Sequence, residues 1–168
     1  MRSSLPRTFP IRFVAAWRCS ARISYQRNTV DLDLVIRPED TEAARAVLSD
    51  AGLAWNEIHA EFRAPAGIAI HFLIAGQKAG PGSEVTIPDP AGELNLEERE
   101  GLTVVRLSRL IEMKIACGMS NLRRTHKDFA DVVELIAARS LDESFARYIH
   151  KSLLAAFREL VRHAQATE

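Results

Sequence analysis

Read for hydrophobic period alone, the chain alternates short strands with helices. Residues 27–36, Arg-Asn-Thr-Val-Asp-Leu-Asp-Leu-Val-Ile, follow a period of two. Leu32, Leu34 and Ile36 share one face and point to a core; Asp31 and Asp33 share the other, and Pro38 stops the strand. Residues 41–51 read as a helix with Asp40 as N-cap, a stripe of Ala43, Ala44, Val47 and Leu48, and Gly52 at its end. Two short strands follow at 54–58 and 61–64, then a buried strand at 67–74. Residues 77–98 are rich in Pro, Gly and acids and read as a long surface loop, a lid or a plain connector. A last strand at 102–106 leads to a helix capped by Ser108, with Leu107, Leu110, Ile111 and Ile115 as its apolar face and Cys117-Gly118 as its end. Residues 125–139 repeat the helical period through Phe129, Val132, Val133 and Ile136; Leu153, Leu154, Phe157, Leu160 and Val161 mark a closing helix. The fold expected is α/β (α+β): a small mixed sheet flanked by helices, with a helical C-terminal half.

Composition narrows the setting. At 168 residues, 47% hydrophobic and 26% charged, the chain suits one globular domain. Lys plus Arg and Asp plus Glu number 22 each, which argues against a broadly basic nucleic-acid surface. A local basic cluster remains at Arg123, Arg124, His126 and Lys127. Cys19 and Cys117 have no metal or redox spacing, so a reduced cytoplasmic protein is expected. The longest apolar run, 67–75, is far short of the ~20 residues a membrane helix needs, and it contains His71. Residues 1–25 carry Arg2, Arg7, Arg12, Arg18 and Arg22 and no acid; Arg12 and Arg18 interrupt the apolar stretch that a signal peptide requires.

Three groups of side chains carry candidate chemistry. Asp31 and Asp33 on one strand face repel each other unless a cation lies between them, and hard oxygen ligands suit Mg2+ or Mn2+. The bland alternative is a strand end with two solvated carboxylates. Lys114 falls inside an apolar helical stripe, where a lysine needs a partner or a route to water. Asp128 and Asp131, three apart on the next helix, could supply an ion pair. His71 interrupts an apolar strand, as a hydrogen-bonded packing residue or as a site residue: a weak ligand, a phosphate contact or a general base. The chain has no Walker loop, no His-Glu-x-x-His, no Gly-x-Ser-x-Gly and no internal repeat.

The sequence Arg-x-Thr-x-Asp-x-Asp-Leu at 27–34, followed by a helix, resembles the metal-binding strand of the nucleotidyltransferase superfamily, the DNA polymerase beta-like palm fold in its minimal bacterial form. Residues 104–114 and 123–136, with Lys127-Asp128-Phe129-Ala130-Asp131-Val132, look like the tail of the same group, which includes the type IV toxin (AbiEii-like) nucleotidyltransferases. The resemblance covers residues 26–141, with 142–168 as a C-terminal helix packed on the same domain. It implies that Asp31 and Asp33 hold Mg2+ (or Mn2+), and that Lys114 and Asp128 join them as active-site residues. Arg27, Thr29, His71 and Lys127 would contact the nucleotide, with Arg27, Lys114 and Lys127 balancing phosphate charge. The activity implied is transfer of a nucleoside monophosphate from a nucleoside triphosphate to an unknown acceptor: tRNA, protein or small molecule.

Two departures from the family pattern matter. The family carries a Gly-Gly or Gly-Ser pair about a dozen residues before the Asp pair, yet here no glycine precedes Gly52, and the spacing falls near Ala16-Trp17. His71 stands where a third Asp or Glu is usual. Residues 1–25 therefore read as a divergent segment, open to disorder, or as the product of a misassigned start or frame. The competing reading is a catalytically degenerate member that binds a nucleotide or partner protein, or pairs with itself, as a toxin- or antitoxin-type module.

Overall fold

The computed structural model describes residues 12–14, 31–65, 67–99 and 101–166. Five strands form one mixed sheet, in the order β1 (Arg12–Val14), β2 (Asp31–Ile36), β5 (Ala69–Ile74), β4 (Glu61–Arg63) and β3 (Ala54–Asn56). The central pair, β2 and β5, is parallel; every other pairing in the sheet is antiparallel. A parallel pair needs a crossover. Helix α1 (Thr41–Asp50) and the β3–β4 hairpin supply it. The strand at 12–14 adds a member to the sheet that the sequence reading did not foresee; the other residues of 1–25, with the expected divergence there, lie outside the described residues.

The period-two pattern of β2 sorts its side chains to two layers. Leu34 is buried with Phe62 and Ile70, and Leu48 of α1 packs on them. Val35, on the face shared by Asp31 and Asp33, is buried with Ile87, Leu96 and Val105, and Leu73 and Met113 pack against that group. The third layer is helical. Ile111 and Ile115 of α2 (Leu107–Ser120), Val132 and Ile136 of α3 (Leu122–Ala138), and Phe157, Leu160 and Val161 of α4 (Leu154–Gln165) share one core. Two 3-10 turns, Glu143–Tyr148 and Lys151–Leu153, connect α3 to α4.

Four boundary expectations are corrected. Asp40 precedes α1 but makes no side-chain cap; Thr41 Oγ1 donates to Pro38 O instead, closing a 3-10 turn at Pro38–Asp40. Ser108 lies inside α2, whose flanking residue Arg106 makes no side-chain cap. Gly118 does not end α2. It is a packing residue: a Cβ there would fall 2.6 Å from Phe129 Cε1, so glycine lets α2 and α3 approach. Helix α3 starts earlier than expected, at Leu122, with Asn121 accepting from the amide of Arg123.

Residues 77–98 are anchored to the body of the protein rather than forming an open surface loop. The amide of Gly76 donates to Ile87 O and that of Ile87 to Gln77 O, at 2.9 and 2.8 Å, and Val85 and Ile87 are buried in two of the cores. The segment ends in a second sheet, the antiparallel hairpin β6 (Leu96–Arg99) and β7 (Leu102–Val105). Acids and prolines hid these apolar anchors, which are spaced too sparsely to register as a strand.

Candidate functional site

Asp33 sits in the middle of β2, directly across from His71 of β5 in the parallel register; Asp31 lies two residues earlier at the exposed end of the strand. Burial raises the Asp33 pKa above the ordinary aspartate value. His71 opposes that rise most strongly, Lys114 next and Arg124 more weakly, while Asp31 adds to it. Asp33 therefore lies within electrostatic reach of cationic groups contributed by the helices.

The helical side of the site comes from α2 and α3. Lys114 occupies the expected stripe and is only partly exposed. Its Nζ lies 2.7 Å from Asp131 Oδ2 and 3.8 Å from Asp128 Oδ1. The closer partner is Asp131, whereas the resemblance singled out Asp128. Burial lowers the Lys114 pKa, Asp128 and Asp33 raise it, and Arg124 and Lys127 push it down further. Asp128 is 1% exposed. Arg124, one turn earlier on α3, reaches it with Nε at 3.2 Å from Oδ2 and Nη2 at 3.4 Å from Oδ1. Two parallel N–H donors on one carboxylate fix its orientation. The Cys117 thiol also leans on this carboxylate; burial first, then a hydrogen bond to Asp128, hold its pKa up.

The fold thus gathers Asp33, His71, Lys114 and Asp128 from 33, 71, 114 and 128 in sequence into one mixed-charge cluster. Lys127 is exposed on α3, near enough to bear on Lys114. Arg27 and Thr29 lie outside the described residues, as does the Ala16-Trp17 position. Two members were not anticipated. Arg124 could have been found from its spacing, four residues before Asp128 on a helix. Glu61 could not: its relation to the site depends on strand register. It is 4% exposed, with Oε2 3.5 Å from His71 Nε2.

A third buried carboxylate belongs elsewhere. Glu112 accepts from Arg109 Nη1 at 2.7 Å and from the His150 amide at 2.6 Å, tying α2 to the turns before α4. Both of its oxygens are occupied by protein, so its work is structural. Among the described residues no group of three or more His, Cys, Asp or Glu side chains is arranged to hold a metal ion, and no helix is long and apolar enough to cross a membrane. No family model, curated protein or solved structure matches the chain.

Proposed function

We propose that this protein is a metal-dependent nucleotidyltransferase, moving a nucleoside monophosphate from a nucleoside triphosphate to an acceptor. The observation that carries the reading is the half-buried Asp33, two residues from Asp31 on one strand face and within electrostatic reach of Lys114 and Arg124. Two carboxylates on a strand face, with two cations of the helices within electrostatic reach of Asp33, fit a ligand that is itself a cation–polyanion pair, such as a divalent ion on a triphosphate. The donor set fits Mg2+ or Mn2+ in that form: Mg2+ is commonly held by one or two carboxylates, with substrate phosphates and water completing its shell. When bound, such an ion neutralises charge on the phosphates and orients them for in-line attack. Asp31 and Asp33 are its protein ligands in this reading. Lys114 and Arg124 offset the negative charge of the phosphates, and Asp128 and Asp131 hold those two cations in place. Loss of pyrophosphate from the α-phosphorus accompanies bond formation to the acceptor oxygen.

The test is label transfer. The protein is incubated with each α-labelled triphosphate, Mg2+ or Mn2+, and total RNA, protein or small-molecule extract. Label is expected in one acceptor class, and Asp31→Asn or Asp33→Asn should lower it at least about a hundredfold. Tight triphosphate binding with no transfer to any class would favour the degenerate binding module, for which the imidazole in place of a third carboxylate is the supporting observation. Absence of both triphosphate binding and transfer overturns the proposal.

A further inference from the structure

The site extends along the sheet, across strands that the Asp pair does not occupy. In β4 and β5, Phe62 pairs with Ile70 and Arg63 with Ala69, so Glu61 comes next to His71. In β2 and β5, Asp33 pairs with His71. Asp33, His71 and Glu61 therefore stand in one row across three adjacent strands, with His71 between two carboxylates. Neighbours in such a row are in side-chain contact range.

Glu61 is an unusual occupant of its position. A carboxylate that is 4% exposed costs several kcal/mol unless it is compensated, and an apolar residue there would serve packing better. Compensation is incomplete. Arg63 Nη2 lies 2.5 Å from Glu61 Oε1 but out of line for a hydrogen bond, leaving that buried oxygen without a donor in good geometry. The other oxygen, Oε2, faces His71 Nε2 at 3.5 Å. Arg63 of the same strand accounts for one oxygen of the buried acid; the imidazole accounts for the other.

We propose that Glu61 is a positioning residue. Its Oε2 faces Nε2 of His71 at 3.5 Å and favours the ring proton on that nitrogen, leaving Nδ1 as the acceptor nitrogen that orients the hydroxyl of the acceptor substrate. A neutral imidazole has one donor nitrogen and one acceptor nitrogen, and a carboxylate fixes which is which. Among the described residues Nδ1 has no hydrogen-bond partner, and the side chain is 35% exposed, open to a ligand. A carboxylate in place of the imidazole would serve a cation. The imidazole is suited to a neutral donor such as the hydroxyl on which nucleotidyl transfer acts. This inference rests on the nucleotidyl-transfer reading for its substrate, but the hold of Glu61 on His71 does not.

Two measurements on the full chain separate the levels. The first is 15N NMR of histidine-labelled protein at about pH 8.5, where free imidazole is neutral. The His71 ring is expected almost wholly as the Nε2–H tautomer in the parent, with its two nitrogen shifts drawing together in Glu61→Met. An Nδ1–H tautomer, or shifts that Glu61→Met leaves unchanged, overturns the proposal whatever the protein catalyses. Glu61→Gln is the second variant, in case Met fails to fold: its carbonyl still accepts from Nε2, so the tautomer should persist. The second measurement is label transfer with the acceptor extract. Glu61→Met and His71→Ala should each slow transfer about 10- to 100-fold, with the double variant no slower than His71→Ala and triphosphate affinity unchanged. Additive losses, or loss of triphosphate binding, overturn the orienting role. Absence of transfer in the parent removes the nucleotidyl-transfer reading, and with it the orienting role toward an acceptor.

Discussion

Asp33 carries its carboxylate against its surroundings. Burial raises its pKa, and His71 and Lys114 only partly counter the rise. Below the ordinary aspartate value of about 3.9 the group is neutral in folded and unfolded chain alike and contributes nothing. As pH climbs through the interval up to the raised folded value, the unfolded chain loses its proton first, and folding stability falls. Asp33→Asn removes this cost. Its melting temperature should exceed that of the parent at pH 7, with the gap closing as pH drops below about 4. A gap independent of pH would mean that the asparagine acts through packing. The same residue shows what a sequence can and cannot disclose. Its place on the polar face of β2 follows from Leu32, Leu34 and Ile36 beside it, and Lys114 is conspicuous inside an apolar stripe. The role of Glu61 is not legible, because Glu-Phe-Arg at 61–63 is an ordinary alternation until strand order places it next to His71.

At the scale of elements, strand and helix existence follows from period, while the ends follow from contacts that period does not encode. Gly118 is the clearest case. Glycine near the end of a helical pattern reads as a stop, yet α2 runs through it to Ser120. The reason lies on α3, where the Phe129 ring fills the space a Cβ would need. Gly118→Ala should therefore destabilise the protein by about 1–3 kcal/mol despite the better helix propensity of alanine. Chemical denaturation of Gly118→Ala alone and with Phe129→Leu checks this, the second change being expected to restore most of the loss. A stabilised Gly118→Ala would show that the two helices separate without cost. The candidate site would then move too, since Lys114 and Asp128 belong to the same helix pair.

At the scale of the whole molecule, residues 77–90 are the part of the chain that composition disguises most. Their acids and prolines suggest mobility, while Val85 and Ile87 anchor them in separate cores and Arg37 reaches Asp89 with Nε 3.0 Å from Oδ1. Amide exchange should find Gly76, Ala79 and Ile87 protected to a degree comparable with β5, and unaltered by triphosphate. Fast exchange at these amides, or protection that appears only with nucleotide, would restore a closing lid. The architecture is legible in the sequence because it is a matter of layers. The anchoring is not, because two buried side chains in a polar stretch leave no period to detect.

The parallel pairing of β2 with β5 has a consequence in time. Asp33 and His71 are neighbours in the sheet but are separated in sequence by α1 and the β3–β4 hairpin. The helices that bring Lys114 and Asp128 lie further along the chain still. Hairpins and the α2–α3 pair can assemble from near neighbours, whereas the central strands must close a long loop first, and closure of that kind slows folding. Loop closure thus weighs on the acid–imidazole row more heavily than on the local hairpins and the α2–α3 pair.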